Sequence, residues 1–147
     1  MTVTILSRAL VAVALAVGVA ACASMDSTMS LFDQLGGMNG VQALSNEFVN
    51  NVASDGRTSK LLSGANIGAL KTKMTDQFCA LAGGSCKAPL TSAQIADAGA
   101  KVDAGTKSAL NDNFLRALDA LKTAPVVKEG VAKLVGPQLG GIVAGLL

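Results

Sequence analysis

Cys79 and Cys86 are the two residues whose type and spacing come nearest to a defined chemistry, standing on either side of Gly83-Gly84. A glycine turn can bring two Cα atoms within the roughly 7 Å that a disulfide needs, and an oxidising compartment would close the bond. The loop so closed is short, so the bond would stabilise the fold by about 2–3 kcal/mol. The alternative is two free thiols, Cys79 buried and Cys86 exposed. The pair lacks the C-x-x-C spacing of redox-active cysteines. Beyond it the chemistry is thin. The 147-residue chain has no histidine. That excludes His-paired nucleophiles, His-ligated zinc and a C-x-x-C-H haem attachment. Acids are scattered, and only Glu47 and Glu129 are glutamates. No EF-hand loop, P-loop or G-x-G-x-x-G fingerprint is present. These residues predict a protein that is not an enzyme and has no metal site.

The element that must position Cys79 is the stretch from Asn66 to Lys87. Ile67, Leu70, Met74, Phe78 and Leu81 recur at steps of three and four, which predicts a helix with one apolar face. Asn66 is placed to cap its start, and Gly83-Gly84 to end it. This helix reads as the centre of a small all-α domain. Lys71 and Lys73 lie off the stripe. Met74 on such a stripe reads as core filler, its flexible thioether suited to irregular space.

The other elements follow in order. Ser30 can cap a short helix, Leu31 to Leu35, stopped by Gly36-Gly37. A second helix is predicted from Gly40 to Ala53, with the stripe Val41, Leu44, Phe48 and Val52 and with Val49 beside it. A polar turn around Gly56 leads to Leu61-Leu62. After Pro89, Thr91 or Ser92 can cap a short helix ended by Gly99, and Lys101 to Gly105 is a loop. Asp103 or Thr106 starts a longer helix with the stripe Leu110, Phe114, Leu118 and Leu121. Pro125 suits the first turn of a last helix carrying Val127, Val131, Leu134 and Val135. Pro137 disturbs that helix. The apolar, glycine-rich tail from Leu139 to Leu147 either completes it against the core or frays.

Residues 1–21 have the form of a secretory leader: Arg8 is followed by an unbroken apolar run from Ala9 to Ala21, too short for a comfortable membrane span. The run ends Val19-Ala20-Ala21-Cys22, which resembles the bacterial lipobox, in which the cysteine is lipidated and becomes the new N-terminus. The resemblance implies a lipid anchor on Cys22, with Ala23 after it favouring the periplasmic face of the outer membrane. An ordinary cleaved signal, giving a soluble periplasmic protein, is the alternative. Residues 22–30 then form a tether rich in Ser, Thr and Met, and residues 31–147 the domain. Lys plus Arg number 12 against 10 acids, and no Trp or Tyr is present. Neither clustered positive charge nor an aromatic platform marks a nucleic-acid site.

The order of elements from about Leu31 to Val143 resembles the shorter truncated haemoglobins. The opening SLFDQLGG is close to the family's start, and EFVNNV resembles its second helix. LKTKMTDQFCALAGG resembles its distal helix, and Ala98-Gly99 with Lys101-Val102 the end of its short proximal helix. LRALDALKTAPVVKEGVAKLVGPQLGGIV resembles its last two helices. The resemblance implies a two-over-two helical sandwich around a haem, with haem and oxygen binding as the family role.

Carried over residue by residue, the family's former haem pocket comprises Val49, Leu62, Leu70, Lys73, Met74, Phe78 and Asp97. Asp97 stands where the family has the iron-ligating histidine, Val49 where a tyrosine donates to bound oxygen, and Leu62 where a phenylalanine wedges the haem. Met74 stands at the distal polar position. Leu70 and Lys73 suit their distal sites. Haem proteins ligate iron through His, Cys, Met or Tyr, and a carboxylate is a poor substitute. Asp97 itself reads as a solvated helix-end carboxylate. The expectation is therefore a globin scaffold that is haem-free or atypically ligated, used as a structural or interaction module with an envelope partner. The alternatives are haem or a diatomic gas bound through Met74, and an apolar ligand carried in the emptied pocket.

Overall fold

A computed structural model describes residues 29–147. The leader, Cys22 and residues 23–28 of the tether lie outside the described residues. Among the described residues all regular structure is helical: α1 (Leu31–Gln34), α2 (Gly37–Ser54), α3 (Ile67–Leu81), α4 (Ser92–Ala100), α5 (Ala104–Ala120), α6 (Pro125–Val135) and α7 (Leu139–Leu146). A 3-10 turn, Ser59–Leu62, joins α2 to α3, and another, Gly136–Gln138, joins α6 to α7. No helix among them is long and apolar enough to cross a membrane.

Helix α2 packs on α3 and α5, while α7 packs on α3, α4 and α5, giving the expected pair of crossed helical layers. Three phenylalanines tie the first set together. Phe48 of α2, Phe78 of α3 and Phe114 of α5 are each at most 2% exposed, and each ring contacts the other two, with centroids 5.4 to 6.0 Å apart. Two of the three contacts are edge-on, which sets the positive edge of one ring against the negative face of the next.

The helix starts follow the capping residues. The side chains of Ser30, Asn66, Thr91 and Asp103 each accept from a backbone N–H in the first turn of their helix. At Thr91 the Gln94 side chain reaches back to the cap as well, completing a capping box.

Several boundaries differ from the sequence reading. Helix α2 starts at Gly37 rather than Gly40, because the left-handed step falls on Gly36 (φ 95°) and Gly37 (φ 68°). Gly40 lies inside the first turn, where a Cβ would stand 1.7 Å from the Leu35 carbonyl oxygen, so its glycine serves close approach rather than a break. Helix α4 runs through Gly99 to Ala100, and the loop before α5 shrinks accordingly. Leu121 caps the C-terminus of α5 and is 40% exposed, so it leaves the apolar stripe. Pro137 is absorbed by the second 3-10 turn, and the glycine-rich tail is helix α7, with Leu139, Ile142 and Val143 buried.

A polar network closes the end of the domain where α2 meets α5. Asn113 is fully buried; its side-chain amide donates to Thr58 Oγ1 (3.1 Å), which donates onward to the Val52 carbonyl (2.9 Å). Asn51 donates to the Asn113 carbonyl (3.2 Å). Outside this layer the nearly buried Asp55 carboxylate receives Arg57 at 2.8 Å and Arg116 at 3.3 Å. The Arg57 side chain, then its backbone N–H, hold the Asp55 carboxyl well below the usual carboxylate range. A carboxyl depressed in the folded state contributes fully above its unfolded value of about 3.9, and the contribution fades as pH falls toward the folded value. Urea unfolding from pH 6 downward is therefore expected to show wild-type stability falling steeply below about pH 4, with Asp55→Asn less stable at pH 6 and flatter below.

Candidate functional site

The sequence-derived pocket residues divide into two groups. Val49, Leu62, Leu70, Met74 and Phe78 belong to one continuous apolar core, none more than 8% exposed. Met74 has no exposed surface at all, in agreement with a core-filling role. Lys73 and Asp97 are exposed, on α3 and α4 respectively, and neither is brought to that core. Asp97 lies inside α4, three residues before its last residue, with its side chain exposed. Lys71, also off the stripe, reaches the Asn50 side chain at 2.8 Å and so links α3 to α2.

Helix α4 owes its position to α7. A Cβ on Gly141 would stand 1.9 Å from the Ile95 carbonyl oxygen and 2.9 Å from its Cγ2, and one on Gly99 would meet the Gly141 backbone at 3.4 Å. One turn on, a Cβ at Gly145 would strike the Leu90 side chain at 2.8 Å. Glycine is required at Gly141 because backbone sits against backbone there. Ile95 is buried at this crossing. Between α3 and α4 lies an open groove of about 400 Å³, lined by Gln77, Ala80, Leu81, Leu90, Thr91 and Ile95. Gln77 is 1% exposed, and its Oε1 accepts from the Leu90 N–H (3.0 Å), so this polar group is already satisfied.

Cys79 and Cys86 form a disulfide, with Cα atoms 5.8 Å apart. It fastens the end of α3 to the segment leading into Leu90. Gly84 makes the turn possible, since a Cβ there would stand 2.5 Å from Cys79 Sγ and 2.7 Å from the Phe32 ring. Phe32 is held in turn by a bond from its N–H to the Ala82 carbonyl (2.9 Å). The disulfide thus holds the turn after α3 closed, and the Phe32 hydrogen bond ties α1 to that turn.

These residues do not fit a haem held as the resemblance implies. The chain offers no His or Tyr, both described cysteines are in the disulfide, and Asp97 is an exposed carboxylate, a group outside the usual haem ligands. Met74 is the remaining donor type at the pocket, and it is enclosed by the apolar core. No cluster of three or more His, Cys, Asp or Glu side chains stands ready for a metal among the described residues.

Sequence reasoning missed two features. The helix-crossing role of Gly99, Gly141 and Gly145 was hidden because Gly99 reads as a helix end and the tail from Leu139 to Leu147 as either helix or frayed; the four-residue spacing of Gly141 and Gly145 on an apolar run was the available signal. The Asn113–Thr58 layer left no signal, since neither residue stands in a recognisable motif.

A family described as Bacterial-like globin matches residues 30–88. No curated protein matches the chain. Among solved structures, a truncated hemoglobin from Tetrahymena pyriformis in its Fe(III) form is 21% identical, covering 73% of this chain and 92% of its own, with a TM-score of 0.65. A 2/2 hemoglobin from Synechococcus sp. PCC 7002, in the cyanomet state with covalently attached heme, is also 21% identical, covering 78% and 98%, with a TM-score of 0.68. At this identity the likeness establishes the fold.

Gly141→Ala is expected to destabilise the protein by at least about 3 kcal/mol in urea unfolding, above the usual overpacking cost because the obstacle is backbone. Gly56→Ala, with nothing within 4 Å of the added carbon, should stay within about 0.5 kcal/mol of wild type.

Proposed function

With the truncated-globin fold as premise, we propose that this chain is a haem-free member of that architecture, held in the bacterial envelope by a lipidated Cys22 and acting as a binding or interaction module rather than an enzyme. The family role, haem and gas binding, is what the resemblance supplies, and the proposal departs from it at the ligands. The observation that carries the reading is the fate of α4. The element that would present the iron ligand carries Asp97 in solvent and is anchored by glycine contacts to α7. An iron bond is not needed to hold it.

The other parts support the same reading. Val49 and Leu62 replace a hydrogen-bond donor and an aromatic wedge by aliphatic groups that join the core. A buried donor without a ligand would cost about 1–3 kcal/mol, and its removal leaves the core complete without a cofactor. Among the described residues every buried side-chain polar atom has a partner. The envelope location rests on the apolar run from Ala9 to Ala21 and on Cys22 after it.

Titration of the purified chain with hemin tests the proposal. The expected result is the broad absorbance of loosely associated hemin, unchanged in Met74→Ala. A sharp, saturable Soret band that shifts with carbon monoxide would contradict it; loss of that band in Met74→Ala would then assign the ligand.

A further inference from the structure

Among the described residues the exposed large apolar side chains are Met29, Met38, Leu121, Val126 and Leu147. Met29 is 52%, Leu121 40% and Val126 48% exposed. Leu121 lines a hollow of about 290 Å³ together with Gln34 and Leu35 of α1, Gly40 and Ala43 of α2, and Lys122 to Ala124 between α5 and α6, and Val126 follows two residues after Ala124. Met29 is tied to this rim, because Gln34 Nε2 donates to its carbonyl at 2.8 Å. Val126 lies one helical turn before Gly130, the position on α6 against which Leu31 of α1 packs. Lys122, on the same rim, has a left-handed backbone (φ 53°). That conformation is uncommon for a lysine, and here it forms the tight turn that exposes Leu121. Asp33 accepts from Ser30 Oγ at 2.7 Å, and Asp119 is paired with Lys128.

The chain enters the described domain at this rim. Cys22 precedes Met29 by only about seven residues, which span at most about 25 Å when fully extended. A lipid on Cys22 would therefore keep this end of the domain within reach of the bilayer at all times, at a high effective concentration. We infer that the rim formed by Met29, Leu121, Lys122 and Val126 rests on the lipid surface, its apolar side chains entering the headgroup region and Lys122 meeting lipid phosphate. The inference builds on the lipidated Cys22 proposed above. Docking fixes the orientation of the domain: α4 packs chiefly on α7, not on α1 or α6, and stays available for a partner. The apolar contribution is modest and works only because the anchor has already removed most of the cost of association.

The chain contains no Trp or Tyr, so a single introduced tryptophan reports without background. Leu121→Trp, Val126→Trp and, on exposed α4, Ala96→Trp are each made in the full chain. Each is purified from an exporting bacterium and reconstituted in vesicles of phosphatidylethanolamine and phosphatidylglycerol carrying brominated acyl chains. Mass spectrometry of the N-terminus is read first. With Cys22 acylated, Leu121→Trp and Val126→Trp should lose more than about half of their emission to bromine while Ala96→Trp keeps its own. Adding Val126→Glu to Leu121→Trp should restore most of the emission. Acylated chains in which all three tryptophans are equally unquenched would overturn the docking and leave the anchor standing. An N-terminus without lipid would overturn both.

Discussion

The close crossing of α4 and α7 is the constraint on which the rest of the architecture depends. At Gly141 the two backbones meet with no space for a single methyl group. That contact packs the short helix carrying Asp97 directly on its neighbour. It also explains the composition of the tail. A stretch such as LGGIVAGL is a poor isolated helix, since each glycine costs about 1 kcal/mol relative to alanine. It is helical here because Leu139, Ile142, Val143 and Leu146 are buried. Tertiary packing overrides intrinsic preference.

The Phe48–Phe78–Phe114 cluster does for α2, α3 and α5 what the glycine crossing does for α4 and α7. The cluster uses three of the chain's four phenylalanines in one contact set. Met74 and Val49 lie in the same continuous core. The positions at which a haem protein would keep polar donors thus contribute dispersion and burial instead. The disulfide and the Asn113–Thr58 layer brace two boundaries of this core, one at the end of α3, the other where α2 meets α5.

Much of this was legible in the sequence. The stripe Ile67, Leu70, Met74, Phe78, Leu81 fixed α3 because a 3.6-residue period over about four turns has few other readings. Asn66, Thr91 and Asp103 announced helix starts because a cap needs a short polar side chain at a defined place. The disulfide was readable from a glycine turn between two cysteines. What misled was glycine. Gly40, Gly99, Gly140 and Gly141 look like breakers in a one-dimensional pattern, yet Gly40, Gly99 and Gly141 lie within helices where a neighbouring backbone passes close. Whether a glycine ends a helix or admits a neighbour depends on elements far away in sequence. At the candidate site the missing histidine was legible, and the α4–α7 contact was not, because it is a property of the packed molecule.

The most direct test of the account is backbone hydrogen exchange across α4 in the chain purified without added hemin. The account predicts that amides from Ile95 to Ala100 are protected to nearly the same degree as those of α7, because α4 is held by packing against Gly141. Exchange of α4 at the rate of an open chain, slowed only when hemin is added, would contradict it and would mean that this helix still waits for a cofactor to set its place.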